Sequence, residues 1–160
     1  MTPAQFDEAK GLVRRMIELI GDEPSRDGLR ETPDRVVRSW SELFAGYHID
    51  PVNYAKEFDE VYDEMIVVKN IGFRSFCEHH MLPFTGKVDV GYIPEGKKII
   101  GLSKVARMVE AITSKLQVQE RIVKEIADTI EKSLSPLGVG VIMEAGHSCT
   151  ACRGSSNSIC

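Results

Sequence analysis

The chain has 160 residues, of which 42% are hydrophobic and 28% are charged, so it is long enough for one compact domain with a buried core. Its 20 basic and 24 acidic side chains give a formal net charge of -4, which excludes a generally basic nucleic-acid-binding protein. The longest apolar runs, such as 65–68, are too short to cross a bilayer, and the N-terminus lacks the features of a signal peptide. We therefore expect a cytoplasmic protein with reduced thiols that binds neither nucleic acid nor membrane.

Helical signals come first along the chain. Apolar residues recur at helical spacing over residues 3–20, which predicts a first helix. Thr32 followed by Pro33 is typical of the cap and first position of a second helix, which should end near Gly46. Residues 48–60 show no clear pattern and are predicted to be irregular.

From about residue 62 the pattern changes to strands that flank two helices. One helix is predicted from Ser103, as its cap, to about residue 116, and another over 118–134. This order predicts an α+β fold with antiparallel pairing. We expect one compact domain overall, with an N-terminal helical region at 1–60 and a unit at 61–160 that contains the strands. The strands are predicted at residues 65–76, 87–93 and 139–143.

The cysteines and histidines cluster in two short segments. Each segment follows a predicted strand, where distant parts of the chain can converge on one metal ion. Thiolate and imidazole donors at this spacing suit zinc. The segments contain Cys77, His79 and His80 in the first, and His147, Cys149 and Cys152 in the second.

Spacing alone leaves two kinds of metal site open. A closed structural site would use four side chains, whereas an open site would use three of them with water in the fourth position. The spacing favours the closed site, but the spare histidines, His79 and His147, suit the proton transfers of an open one. The four candidate ligands are Cys77, His80, Cys149 and Cys152.

Two further polar clusters open predicted helices. The first places a hydroxyl and basic side chains where helix-start N–H groups favour anions. The second combines an amide and a carboxylate, which match the amide and guanidine edge of a guanine. Taken alone, each is better explained as a solvated polar helix face. The first contains Ser103, Lys104 and Arg107, with Arg153 after the second cysteine segment, and the second contains Gln119 and Glu120.

Several long motifs, in the right order, resemble those of the zinc-dependent GTP cyclohydrolase I family. The resemblance covers about residues 10–154, and the length of the motifs makes a chance match very improbable. The motifs lie at residues 31–36, 75–94, 101–104, 116–121 and 147–154.

The resemblance implies the tunnelling fold, with N-terminal helices followed by an antiparallel ββααβ(β) unit. Such units form rings that stack in pairs, so we expect a homo-oligomer, a decamer being one such assembly, with sites at subunit interfaces. Only six residues follow Gly154, and they are polar and without alternation. The last strand is therefore expected to be missing.

The activity that the resemblance implies is hydrolysis of the guanine imidazole ring of GTP, with Zn²⁺ as cofactor. Formate is released and the rest rearranges to 7,8-dihydroneopterin triphosphate. Two alternatives stay open. In the first, the protein lacks its last strand and opens the ring of GTP only in part. In the second, it is a non-catalytic, zinc-stabilised protein that binds purine nucleotides.

Site residues carry over from the family position by position. Cys152 is not a ligand in that pattern, and a thiol at the open metal position would silence catalysis. The implied zinc ligands are Cys77, His80 and Cys149, the proton-transfer residues are His79 and His147, the guanine-binding pair is Gln119 and Glu120, and the ribose-triphosphate contacts are Ser103, Lys104, Arg107 and Arg153, with Arg35 from a neighbouring subunit.

Overall fold

The computed structural model describes residues 1–96 and 98–153. The chain divides into two compact units, of which the first ends at Ala45 and the second begins at Gly46. Within the described ranges, no helix is both long enough and apolar enough to pass through a membrane. The predicted absence of a last strand concerns residues 155–160, which lie outside the described residues.

The first unit consists of two helices, α1 (Pro3–Leu19) and α2 (Thr32–Leu43). A capping box starts α1, because the Thr2 hydroxyl accepts from the Gln5 N–H and the Gln5 side chain accepts from the Thr2 N–H. The spacing of its apolar residues along the helix gives this unit a small core of its own. That core is formed by Ala9, Val13, Ile17 and Val37.

The start of α2 differs by one residue from the prediction. Thr32 was expected as the cap, but Glu31 occupies that position and Thr32 is the first helical residue. Pro33 accordingly lies at the second helical position, where its missing N–H would have no partner in any case. The helix ends at Leu43, somewhat before Gly46.

The second unit combines strands and helices. Its elements are β1 (Glu57–Asp59), β2 (Ile66–Cys77), β3 (Pro83–Ile93), β4 (Lys98–Ile100), α3 (Leu102–Thr113), β5 (Leu116–Gln117), α4 (Gln119–Leu134), β6 (Gly138–His147) and α5 (Ser148–Ala151), with 3-10 turns at Ala45–His48 and Pro51–Tyr54. Four of the strands form one sheet in the order β5-β2-β3-β6. The β2–β3 and β3–β6 pairs are antiparallel, and the short β2–β5 pair is parallel. A separate antiparallel pair joins β1 to β4.

Alternation along the strands places one face of the sheet against α3 and α4. Successive strand residues point to opposite faces, so buried residues alternate with less buried ones from Ile71 to Cys77 in β2 and from Val88 to Tyr92 in β3. The two helices each present an apolar stripe at helical spacing. The largest fully buried members of this core are Tyr92, Phe84, Met108, Ile112, Ile122, Ile126 and Ile130.

Two irregularities shape β2 and β3. Asn70 adopts a positive φ of 57° at a bulge in β2, and its N–H donates to the Asp89 carboxylate at 2.7 Å. Gly86 lies so close to β6 that a Cβ there would be 1.9 Å from the Glu144 carbonyl oxygen. Only glycine permits this approach, which brings β6 against the start of β3.

The α+β class and the long elements of the fold are confirmed, while several boundaries differ. β3 begins at Pro83 rather than near residue 87, because a proline is tolerated as the first residue of a strand. Ser103 is not the cap of α3. Gly101 holds that position with extended backbone angles, and its carbonyl accepts from the Lys104 N–H at 2.8 Å.

Candidate metal and nucleotide site

The strand register brings the two cysteine segments together. Phe76, one residue before the end of β2, pairs with Pro83, and His147, the last residue of β6, pairs with Phe84. Because β3 lies between β2 and β6, both of these strands end beside its first two residues. The convergence predicted from the strand positions is therefore present.

Three side chains form a group able to hold a metal ion. The Sγ atoms of Cys77 and Cys149 and a ring nitrogen of His80 all lie within 4.8 Å of one another. Both cysteines are buried, whereas His80 is exposed. In the described part of the chain Cys152 is outside this group and its thiol is exposed, so the closed four-ligand arrangement is not formed.

The electrostatics of the group favour a cation. Burial raises the pKa of the Cys149 thiol, and the neighbouring Cys77 sulfur raises it further. A positive ion between the sulfurs would counter both effects, because it stabilises the thiolate forms. Arg153 lies beside the group, where its Nε–H donates to the Cys149 carbonyl at 3.0 Å.

His147 is held firmly in place on the β6 side of the site. Its ring stacks on Phe84, with centroids 4.8 Å apart and planes at 10°. Its Nε2 lies 2.8 Å from the Gln119 Oε1 atom. The Gln119 Nε2 donates to the Met143 carbonyl at 3.2 Å, so the amide oxygen must face the ring and His147 Nε2–H is the donor.

The second histidine lies on the β2 side. His79 follows Cys77 in the turn after β2, and its Nδ1 is 3.8 Å from the Cys77 Sγ. The His80 Nδ1 is 3.7 Å from the same sulfur. Both histidines predicted to transfer protons thus lie in the two cysteine segments, one on each side of β3.

The polar start of α4 is partly engaged within the protein. Both ends of the Gln119 amide are hydrogen bonded, to His147 and to Met143, so in this structure the side chain orients the histidine. Glu120, in the same first turn, is exposed. Contact of these two residues with guanine stays a prediction.

The residues predicted to bind phosphate lie on other elements. Ser103, Lys104 and Arg107 occupy the first two turns of α3, and within the described residues no hydrogen bond links them to the cysteine and histidine group. Arg107 also lines a cleft of about 900 Å³ beside β2 and β3, which three further basic side chains share. These three are Lys69, Arg74 and Lys87.

Arg35 lies in the first unit, on the exposed surface of α2. Its guanidinium forms an ion pair with Glu31, four residues earlier on the chain. Such exposed pairs hold a side chain weakly, so Arg35 is able to exchange this partner for another anion.

The structure also reveals a polar cluster that the sequence reasoning missed. Arg121 donates two hydrogen bonds to the Glu78 carboxylate, and a third, at 3.4 Å, to Gln117. The bond from Arg121 holds the pKa of Glu78 below its usual range. Glu78 lies between the two predicted ligands of the first segment, but no pattern in the sequence links it to a residue in a distant helix.

Comparison with known proteins assigns the chain to a family. The family model of GTP cyclohydrolase I matches residues 9–159. A relative from Rhodopirellula baltica is 49% identical over 150 residues, which are 93% of this chain and 65% of that protein. A relative from Caldanaerobacter subterraneus is 48% identical over 92% of this chain and 79% of its own length, and one from Brevibacillus brevis is 44% identical over 96% and 83%.

All three relatives are named GTP cyclohydrolase 1, the enzyme that the sequence motifs predicted. This chain spans slightly less than two thirds of the first relative and about four fifths of the other two. With the family model matching nearly all of its residues, the chain belongs to the GTP cyclohydrolase I family.

Proposed function

We propose that the protein catalyses the GTP cyclohydrolase I reaction, in which GTP and water yield formate and 7,8-dihydroneopterin triphosphate. The convergence of Cys77, His80 and Cys149 within 4.8 Å, in a chain of this family, carries the proposal. The two neighbouring histidines supply the acid–base groups that such a reaction needs.

The proposed cofactor is Zn²⁺, held by Cys77, His80 and Cys149. Two sulfur donors and one imidazole nitrogen suit this ion, and three protein ligands are typical of catalytic rather than structural zinc sites. When bound, zinc supplies Lewis-acid chemistry that activates water for attack on the imidazole ring of guanine. The exposed position of Cys152 supports the open arrangement over the closed one.

His79 and His147 are proposed to move protons during the reaction. Ring opening, loss of formate, rearrangement of the ribose and closure of the pterin ring each require proton transfer, and imidazole accepts and releases protons near neutral pH. Gln119 fixes which nitrogen of neutral His147 carries the proton, since its Oε1 accepts from Nε2–H. In that tautomer Nδ1 carries the lone pair and acts as the base.

Substrate recognition is proposed to combine a carboxylate with basic groups. Glu120 would accept hydrogen bonds from the guanidine edge of guanine, beside Gln119. The cationic cleft next to α3, which includes Arg107, has a charge suited to a triphosphate. The other proposed phosphate contacts are Ser103, Lys104 and Arg153, with Arg35 from a neighbouring subunit.

We propose a homo-oligomeric ring of tunnelling-fold subunits, with sites at subunit interfaces. The outer face of the sheet supports this, because it exposes large apolar side chains around a groove of about 570 Å³. Met65, Val67 and Ile142, which line this groove, are 59%, 48% and 75% exposed. Light scattering coupled to size-exclusion chromatography would measure the assembly. A location in the cytoplasm is proposed from the family and from the free thiols of Cys77, Cys149 and Cys152, the cysteines that the structure describes.

The deciding experiment is incubation of zinc-loaded protein with GTP, followed by assay of formate and of neopterin, which fluoresces after oxidation. Equal amounts of both products are expected, and prior removal of zinc by a chelator should abolish both. Formate without neopterin would show partial ring opening only. GTP binding without formate would show a non-catalytic nucleotide-binding protein.

A further inference from the structure

The turn after β2, residues 78–81, contains the proposed ligand His80 and is called the metal-ligand turn below. Because it is exposed, its position depends on contacts with other elements. Residues 78–81 are all exposed, and Met81 adopts a positive φ of 54°. Within the turn, the His80 and Met81 N–H groups both donate to the Cys77 carbonyl, at 3.3 and 2.8 Å. These local bonds set the shape of the turn, but they do not fix His80 relative to the rest of the unit.

Glu78 attaches this turn to α4. Its backbone N–H donates to the Gln117 carbonyl at 3.1 Å. Its carboxylate oxygens accept from the two terminal nitrogens of Arg121, at 2.5 and 3.1 Å, which is the bidentate geometry of strong guanidinium–carboxylate pairs. A pair of this kind fixes direction as well as distance.

Gln117, which contacts both Glu78 and Arg121, is itself held in the core. Gln117 is completely buried, and its Nε2 donates to the Ile112 carbonyl and to Glu125, each at 3.1 Å. Its Oε1 accepts from Arg121. Glu125 also pairs with Lys115 at 2.8 Å. Arg121 is thus supported by a side chain that cannot move without disturbing the core.

Arg121 also lies directly after the residues expected to contact guanine. Gln119 and Glu120 precede it in the first turn of α4, and Gln119 already bonds to His147. A movement of this turn would therefore displace the expected base-binding carboxylate and the support of His147 together. One guanidinium connects the metal-ligand turn to the residues on the nucleotide side.

We propose that Glu78 and Arg121 form a clasp that sets the position of the metal-ligand turn relative to the first turn of α4, so that Arg121 is a positioning residue for both metal and nucleotide. The nucleotide part rests on the proposed function, whereas the metal part stands independently of it. Mutation of hydrogen-bonding residues outside the ligand sphere commonly lowers metal affinity by 10- to 100-fold.

The test is a double-mutant cycle of Glu78→Gln and Arg121→Gln, with zinc affinity measured by competition with a chromophoric chelator. Each single variant should weaken zinc binding about tenfold. Because the two side chains act through one contact, the double variant should also be about tenfold weaker rather than a hundredfold weaker. Independent, multiplied effects would overturn the proposal, and so would unchanged zinc affinity in both single variants.

Lys124→Gln is the matched control, because Lys124 forms an exposed pair with Asp128 on the same helix without touching the turn. It should leave zinc affinity and the KM for GTP unchanged, whereas Arg121→Gln should raise KM about tenfold. If Arg121→Gln proves unstable, Arg121→Lys keeps the charge but loses the bidentate geometry, and it should also weaken zinc binding. Zinc binding of Arg121→Lys equal to wild type would refute the clasp.

The two proposals fail in different ways. Wild-type protein that binds zinc but does not turn over GTP would refute the proposed function, and the zinc cycle would still test the clasp. Wild-type turnover with no coupling between positions 78 and 121 in zinc affinity would refute the clasp alone.

Discussion

Because β3 and β6 approach closely at Gly86, we expect one added methyl group there to lower the free energy of unfolding considerably. In Gly86→Ala the new Cβ would lie 1.9 Å from the Glu144 carbonyl oxygen and 2.8 Å from the Ala145 Cα. Both contacts are with backbone, so no side chain can rotate to make room. Real Cβ atoms essentially never come within 3.0 Å of such atoms, and the strands must therefore separate by more than 1 Å.

The loss in the free energy of unfolding comes from the contacts between β3 and β6 that this separation would disturb. Gly86 pairs with Ala145, two pairs away from the Phe84–His147 pair at the end of the β3–β6 ladder, and the core residue Ala145 is almost fully buried. Forced overpacking of this kind costs about 3 kcal/mol in the free energy of unfolding. For a domain of this size, that corresponds to a Tm about 6–12 °C lower. Zinc affinity should fall too, because the proposed ligand Cys149 lies two residues after His147, and a displaced β6 would therefore move it.

The assay is thermal unfolding followed by circular dichroism, with Gly72→Ala as the control. Gly72 lies in β2, on the other side of β3, and no described heavy atom would lie within 4 Å of a Cβ there. The control should be neutral or stabilised by about 0.4–1 kcal/mol, because alanine restricts the unfolded chain. A Tm for Gly86→Ala within about 2 °C of that control would refute the reasoning.

Three further predictions concern single side chains. Burial raises the pKa of the Tyr92 phenol, so its stabilising contribution is present below pH 10.0 and is lost at higher pH. In Tyr92→Phe, Tm should fall less steeply at alkaline pH. The free energy of unfolding should be lower by about 1–3 kcal/mol, because the Ile100 N–H loses its acceptor. Cys152→Ser should leave zinc affinity unchanged in chelator competition, since the thiol lies outside the ligand group, and tighter or weaker binding would contradict this. Gln119→Leu should lower kcat at least about tenfold by releasing His147, whereas a change in KM alone would indicate that Gln119 contacts the base instead.

Long elements and the convergence of the cysteines were predictable from the sequence. The apolar positions of α1 and α4 repeat over several helical turns, and those of β2 and β6 over several strand residues. Each pattern is therefore long enough to be recognised as helix or strand. The two cysteine segments are expected to meet because each follows a strand, and the register of β3 confirms that they do.

What escaped prediction depends on contacts between distant residues. β4 and β5 contain three and two residues, too few to show any alternation. The roles of Glu31 and Gly101 as helix caps depend on backbone angles rather than on a capping side chain, so the sequence pattern favours the nearby hydroxyl residues Thr32 and Ser103. The contact between Glu78 and Arg121 joins parts of the chain that only the folded sheet brings together.

The position of the site at the start of β3 has a consequence for the order of folding. Because side chains alternate along a strand, a slip of one residue between β3 and β6 would turn His147 away from Phe84 and carry Cys149 away from Cys77. The candidate metal-binding group can therefore form only after the correct pairing of strands that are far apart in sequence, which is a slow event in folding. Metal uptake during refolding should consequently report the correct pairing of β3 with β6, and a mispaired intermediate should be recognisable by its inability to hold the ion.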